Sequence, residues 1–72
     1  MKSLTAKQVI NILQKYGFSL SRQRGSHMIF HNKTTGKSVP VPLHGKTKPL
    51  PIGTFLAIIK QSDIPKEKFN RR

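Results

Sequence analysis

The sequence contains no cysteine and only two acidic residues, Asp63 and Glu67, among its 72 residues. Without cysteine, the chain can form neither a disulfide framework nor a thiolate metal site. Two carboxylates close together near one end are too few for a two-metal nuclease, which needs several carboxylates to hold its ions. Paired-carboxylate catalysis is also disfavoured, because it needs two carboxyl groups flanking one bond. We therefore expect no metal and no cofactor.

Long hydrophobic runs are also missing from the sequence. The opening residues Met1-Lys2-Ser3-Leu4 lead directly into an amphipathic segment, so the sequence predicts neither a signal peptide nor a membrane span. A cytoplasmic location follows as an expectation. The length predicts a single domain over residues 1–72, with a thin core because a chain this short buries a modest share of its surface.

Positive charge is the dominant feature of the composition. Fourteen Lys and Arg residues oppose the two acids, which gives a net charge of +12 and a pI near 11.2. Such an excess in a folded domain is typical of nucleic-acid-binding proteins. A membrane-surface role would need a basic amphipathic helix, which the sequence does not offer. An acidic protein partner is the other natural complement to this charge.

Residues 4–17 carry a full set of helix signals. Thr5 is the predicted N-cap, and Gln8 three residues later completes a capping box. Gly17 supplies the left-handed residue that ends a helix. Four residues recur on one face at helical spacing and predict the buried side, with Ile12 flanking it: Val9, Ile10, Leu13 and Tyr16.

From Phe18 the apolar residues alternate with a period of two, which predicts strands. A first strand runs from Phe18 to Arg24, and Gly25-Ser26 forms a turn into a second strand over His27–His31. A third strand over Lys37–Leu43 follows a loop. Met28 and Phe30 share one face of the second strand, which leaves the histidines on the other.

Pro40 and Pro42 lie within the third predicted strand. Residues of equal parity point their N–H groups to the same side of a strand, so both prolines remove donors from one edge. Because proline cannot donate to a β-ladder, it is confined to edge strands. The third strand is therefore predicted at the edge of the sheet.

A second helix is predicted from about Pro51 to Gln61. Its apolar stripe consists of Ile52, Phe55, Leu56 and Ile59. Beyond it, the basic tail from about residue 66 is expected to be mobile. The order α-β-β-β-α predicts an α+β domain of two layers, with both helices on one face of a three-stranded antiparallel sheet. The double-stranded-RNA-binding domain has this arrangement, and the opposite sheet face, with Ile29, His31 and His27, stays open to a ligand.

His27 is the main candidate for chemistry. RNA cleavage without metal needs a base for the ribose 2′-OH proton and an acid for the leaving oxygen, and histidine can serve in either role. Arg22 and Arg24 are suited to holding the scissile phosphate. Gly25 allows close backbone approach and Ser26 adds donors, so both are also candidate RNA contacts. The alternative is that His27 is a packed or solvated histidine without a role.

Further candidates lie after the third strand. Lys46 and Lys48 precede the second helix, whose N-terminus favours anions, and together they form a candidate phosphate-binding site. His44 is a candidate second proton carrier, although a turn-forming role explains it equally well. His31 lies on the same face as His27 and is as well explained as a solvated sheet residue.

The chain resembles the HicA toxins, mRNA interferases of bacterial HicA–HicB type II toxin–antitoxin pairs. The resemblance covers nearly the whole chain and rests on four segments: Lys15-Tyr16-Gly17-Phe18, Arg24-Gly25-Ser26-His27-Met28-Ile29-Phe30, Val39-Pro40-Val41-Pro42-Leu43-His44, and the stretch from Ile52 to Gln61 that begins Ile52-Gly53-Thr54-Phe55-Leu56. In that family the histidine after Gly-Ser is catalytic, a role that falls on His27. The resemblance also implies a fold like that of the double-stranded-RNA-binding domain and an inhibitory HicB-type antitoxin.

The sequence therefore predicts a toxin that cleaves mRNA, a metal-independent endoribonuclease with His27 as its catalytic residue. The alternative is a module of the double-stranded-RNA-binding type that holds RNA without cutting it. A DNA-binding accessory role is disfavoured, because neither predicted helix presents a base-reading face.

Overall fold

The computed structural model describes residues 2–43 and 47–70. Along the chain these residues form helix α1 (Ala6–Lys15), strands β1 (Ser19–Arg24), β2 (His27–His31) and β3 (Ser38–Pro42), helix α2 (Ile52–Ser62), and a 3₁₀ helix (Lys66–Phe69). The three strands form one antiparallel sheet in the order β1-β2-β3. The predicted α+β class and the α-β-β-β-α order are confirmed.

Helix α1 begins with the predicted capping box. The Gln8 backbone N–H donates to Thr5 Oγ1 at 3.2 Å, and the Thr5 N–H donates to Gln8 Oε1 at 3.0 Å. These bonds satisfy two of the donors that a helix start leaves free. Gly17 follows the helix with φ of +94°, the left-handed conformation expected of it.

The buried side of α1 differs in part from the prediction. Its buried residues are Ala6, Val9, Ile12 and Leu13. Tyr16, predicted to face the core, is 38% exposed. The helix ends at Lys15, so the helical spacing that placed Tyr16 on the buried stripe no longer holds at its position.

Asn32, a loop residue in the sequence-based interpretation, joins α1 to the sheet. Its side chain is buried, and Nδ2 donates to the Tyr16 carbonyl at 3.1 Å. Its Oδ1 accepts the backbone N–H groups of Thr34 and Thr35 at 2.9 and 3.2 Å. The amide thereby fixes both the end of α1 and the loop between β2 and β3, which keeps β3 in register with β2.

Strand β3 lies at the edge of the sheet, as its two prolines predict. Pro42 is paired with His27 and Pro40 with Ile29, so both prolines share a face with these β2 residues. The opposite face carries Phe30, Val39 and Val41, all fully buried. We call the face that carries His27, Ile29, Pro40 and Pro42 the open face of the sheet, because it lies opposite the helix-covered core.

A β-bulge at Ser21 was not anticipated from the alternation in β1. Leu20 pairs with Phe30 and Arg22 pairs with Ile29, so Ser21 has no cross-strand partner in the register. The bulge places Leu20 on the helix side and Arg22 on the open face, whereas strict alternation would put both on one face. All six β1 residues are nonetheless exposed, because the helices pack mainly against β3.

Helix α2 packs beside β3 with a rotated apolar stripe. Its buried residues are Phe55, Ile58, Ile59 and Ser62. The predicted stripe shares two of these, but its other members, Ile52 and Leu56, are 52% and 41% exposed. Because α2 has apolar residues on several sides, periodicity alone does not predict which face is buried. The packing against β3 determines that face.

The segment after α2 packs against the core, whereas the sequence predicts a mobile tail from about residue 66. Asp63 ends α2 in the left-handed conformation with φ of +61°, and the buried Ser62 hydroxyl accepts the Ile64 N–H at 3.1 Å. Phe69 in the 3₁₀ helix is fully buried, and its ring meets Phe55 edge-on at 6.0 Å between centroids. Burial of this one aromatic side chain holds the segment against the core, while the basic residues around it stay exposed.

Candidate functional site

The turn between β1 and β2 positions His27 at the start of β2. Gly25 has φ of +60°, while Ser26 is not among the residues with positive φ, the pattern of a type II′ hairpin turn. The turn is held by Gln23 Nε2, which donates to the Gly25 carbonyl at 3.1 Å, and by the Leu43 N–H, which donates to the Ser26 carbonyl at 2.7 Å. His27 therefore has a backbone position fixed from both neighbouring strands.

Two arginines lie beside His27 on the open face. Arg24 is the direct cross-strand partner of His27, and Arg22 is the partner of Ile29. Partners in an antiparallel pair have Cβ atoms roughly 5 Å apart and project from the same face. Both arginines are exposed. The structure thus brings together a histidine and two permanent cations that point towards solvent.

His31 lies on the same face at the far end of β2. Four strand rises separate it from His27, roughly 13 Å. Its Nδ1 lies 2.7 Å from the Ser38 hydroxyl of β3, a hydrogen bond between side chains. The two histidines are therefore too far apart to act on the same bond.

A groove of about 420 Å³ lies on the other side of His27 from the arginines. The sheet contributes His27, Pro40 and Pro42 to its walls. Helix α2 contributes four residues at helical spacing: Thr54, Ala57, Ile58 and Gln61. Leu50 and Pro51, just before α2, complete the lining. His27 is thus shared between a cationic surface and a largely apolar groove.

The basic residues before α2 are only partly described. Lys48 is exposed and lies two residues from Leu50, which lines the groove. The candidates His44 and Lys46 lie outside the described residues. Within residues 2–43 and 47–70, no three His, Cys, Asp or Glu side chains are grouped as metal ligands would be.

Comparison with models of protein families identifies the family to which the chain belongs. A family model described as the HicA toxin of bacterial toxin–antitoxin pairs matches residues 6–64, most of the chain. The chain belongs to the HicA toxin family. Comparison with curated proteins gives no significant match. The resemblance to this family, which rests on four segments across nearly the whole chain, is thereby confirmed.

Membership of the HicA family identifies the chain as the toxin of a toxin–antitoxin pair, and a cognate antitoxin is implied. In the part of the chain that the structure describes, no helix is long and apolar enough to cross a membrane. The matched region includes the hairpin turn, all three strands and α2. The candidate residues of the open face therefore lie within the part of the chain that defines the family.

The sequence analysis named the cationic residues on one side of this candidate site but missed the groove on its other side. The prolines of β3 marked an edge strand, and nothing in their spacing indicated that they would also form a wall. Thr54, Ala57 and Gln61 lie in the segment from Ile52 to Gln61 that supports the family resemblance, but nothing in their pattern predicted a groove wall. The groove depends on how α2 is rotated against β3, and the predicted apolar stripe gave that rotation incorrectly.

Proposed function

We propose that this HicA toxin is an mRNA interferase, a metal-independent endoribonuclease that blocks translation by cutting mRNA. The observation that carries the proposal is the placement of His27 beside Arg24 on the exposed face of the sheet, in a chain of the HicA family. A proton-transfer group next to fixed cations is the minimal arrangement for cleavage of a phosphodiester.

In this proposal His27 accepts the proton of a ribose 2′-OH or donates a proton to the leaving 5′ oxygen. The 2′ oxygen attacks the adjacent phosphorus, and the bond from phosphorus to the 5′ oxygen breaks. Negative charge builds on the other phosphate oxygens during this step. Arg22 and Arg24 stabilise it through their guanidinium groups, which offer paired donors matched to phosphate geometry.

The remaining contacts to RNA come from the turn and from the basic segment before α2. Gly25 leaves space for a phosphate near the backbone, because a side chain is absent there, and Ser26 belongs to the same turn. Lys46 and Lys48 hold neighbouring phosphates of the strand. His44 is the proposed second proton carrier, because cleavage needs both a base and an acid.

The cognate antitoxin is proposed to be a HicB-type protein that inhibits the toxin by covering this face. A net charge of +12 makes an acidic surface the matching partner, and such a surface competes directly with RNA. Both the mRNA substrate and this partner place the toxin in the cytoplasm.

The test compares two histidines on the same face of the same strand. Purified toxin is incubated with a single-stranded RNA, alongside His27→Ala and His31→Ala variants. We expect His27→Ala to lose cleavage by at least about 100-fold, as removal of a general acid–base group does, and His31→Ala to stay near the parent rate. The assay is quantified from the fraction of full-length RNA over time.

Two results would contradict the proposal. Undiminished cleavage by His27→Ala removes this residue from the mechanism. Tight RNA binding without cleavage by the parent protein instead favours the alternative, a non-catalytic module of the double-stranded-RNA-binding type. Circular dichroism of both variants shows whether the fold is intact.

A further inference from the structure

The groove beside His27 has no part in the mechanism described above. In that mechanism the reacting phosphate is held by Arg22 and Arg24 on the β1 side of His27, whereas the groove lies on the β3 side, between the open face and α2. Its volume of about 420 Å³ is in the range of small-ligand sites. It is also continuous with the proposed reaction centre, since His27 itself forms part of its wall.

We propose that this groove binds one nucleobase of the RNA substrate, next to the phosphate that reacts at His27. The inference rests on the proposed function, because it takes single-stranded RNA as the ligand. It adds a specificity-determining subsite and names the residues that form it. A base held in this position fixes where along the strand the toxin acts.

The walls of the groove suit the flat faces of a base. Pro40 and Pro42 present rigid rings from β3, and Ala57 presents only a methyl group from α2. A base placed between them buries its apolar faces without ordering a long side chain, so little conformational entropy is lost. The chain has few aromatic residues, and Phe18, Phe30, Phe55 and Phe69 are all buried, so the usual aromatic stacking platform is not available from phenylalanine.

Two polar side chains in the groove can contact the edge of a base. Thr54 offers a hydroxyl that donates and accepts, and Gln61 offers both an amide donor and a carbonyl acceptor. They lie seven residues apart on α2, two turns along the same side of the helix. Apolar walls bind any base, whereas these groups favour the base whose edge matches them.

The position of the cations agrees with a base in the groove. Arg24, His27 and Pro42 occupy three adjacent strands in one cross-strand row, which spans roughly 10 Å from β1 to β3. Phosphate binding at the β1 end and base binding at the β3 end leave the ribose between them, at His27. This is the location that the proposed reaction requires, because the attacking hydroxyl belongs to the ribose.

The experiment combines protein variants in which a larger side chain fills the groove with oligonucleotides that each lack one base. The ligand is a fluorescently labelled 2′-O-methyl oligonucleotide, which lacks the attacking hydroxyl, and a set in which one nucleotide at a time is abasic. Binding to the parent protein is compared with Ala57→Leu, which adds bulk inside the groove, and Leu56→Phe, which adds bulk at an exposed neighbouring position outside it. Thr54→Leu serves as a second filling variant if Ala57→Leu is not folded.

In the parent protein and in Leu56→Phe, we expect one abasic position to weaken binding by about 5-fold or more, a loss typical of one bound base. In Ala57→Leu we expect the same abasic position to cost nothing, because the base is already excluded. Such a non-additive result is the signature of direct contact between the altered residue and the removed base. Gln61→Leu should instead keep binding but change which base is preferred.

The proposal is overturned if every abasic position has the same small effect, if Ala57→Leu keeps the parent's dependence on the base, or if the oligonucleotide does not bind. Its failure differs from failure of the proposed function. RNA cleavage that depends on His27, together with the same dependence on the base in Ala57→Leu as in Leu56→Phe, would leave a nuclease without a base subsite in this groove. A base-dependent groove in a protein that cuts no RNA would leave a binding module.

Discussion

Gly25 is the residue that sets the backbone path into His27. Its φ of +60° lies in the region that residues with a side chain avoid, although a Cβ at this position would contact nothing within 4 Å. A substitution is therefore costly because of backbone strain rather than because of a clash. We expect Gly25→Ala to lower the free energy of unfolding by about 1–3 kcal/mol, measured by urea denaturation.

Gly53 provides the matched control, because a Cβ there also contacts nothing but its φ is not positive. It lies in the first turn of α2, where alanine restricts the unfolded chain without straining the helix. Gly53→Ala should raise the free energy of unfolding by about 0.4–1 kcal/mol. Equal effects of the two substitutions would contradict the role assigned to backbone conformation at Gly25.

The backbone conformation near the turn was predictable from the sequence, because it depends on local chemistry. Gly25-Ser26 between two alternating segments predicts a hairpin, and a hairpin fixes which residue begins the second strand. The exposure of Tyr16 was not predictable in this way, because it depends on where α1 ends. Burial of Asn32 was missed for a related reason, since its main partner lies 16 residues away in sequence.

The 3₁₀ helix is the element whose contribution the sequence most understates. The fully buried Phe69 contacts Phe55 of α2, so this short element closes one end of the core. We expect Phe69→Ala to lower the free energy of unfolding by about 3–5 kcal/mol. A chain of this length has roughly 4–11 kcal/mol of stability in total, so the loss is severe.

The neighbouring exposed residue Lys68 tests whether this effect comes from the core. Lys68→Ala removes a charge from the same 3₁₀ helix and should change stability by less than about 0.5 kcal/mol. Thermal and urea unfolding of both variants measures the difference. A Phe69→Ala protein as stable as its parent would show that the segment is peripheral, as the sequence alone suggested.

Element types and order were predictable from periodicity and capping, whereas two features that shape the site were not. The bulge at Ser21 separates Leu20 from Arg22 and sends the arginine to the open face, which alternation alone does not reveal. The rotation of α2 creates the groove, and it is set by tertiary packing against β3. Local sequence patterns indicate neither the bulge in β1 nor the rotation of α2.

For the molecule as a whole, the charge of +12 should make RNA binding strongly dependent on salt. Each lysine or arginine that neutralises a phosphate releases counterions, which gives a slope of about −0.7 per contact in a plot of log affinity against log salt for single strands. We expect Arg24→Ala and Lys48→Ala each to make this slope shallower by about 0.7. Fluorescence anisotropy at several salt concentrations measures it.

Lys7 is the matched control for this experiment. It is an exposed lysine on α1, in the helix layer on the opposite side of the sheet from the open face. Lys7→Ala removes the same charge and should leave the slope unchanged. If all three substitutions change the slope equally, RNA binding is a diffuse effect of net charge, and the assignment of RNA contacts to Arg24 and Lys48 is wrong.

The contact between Phe69 and Phe55 also has a consequence for timing during synthesis. The ribosome makes His27 and the arginines early, but the aromatic contact that completes the core can form only after residue 69 has left the exit tunnel. Domains generally fold as units, so the groove and the sheet gain their final geometry late. A nascent chain whose Phe69 is still inside the tunnel would then lack the completed core that supports the sheet and its His27.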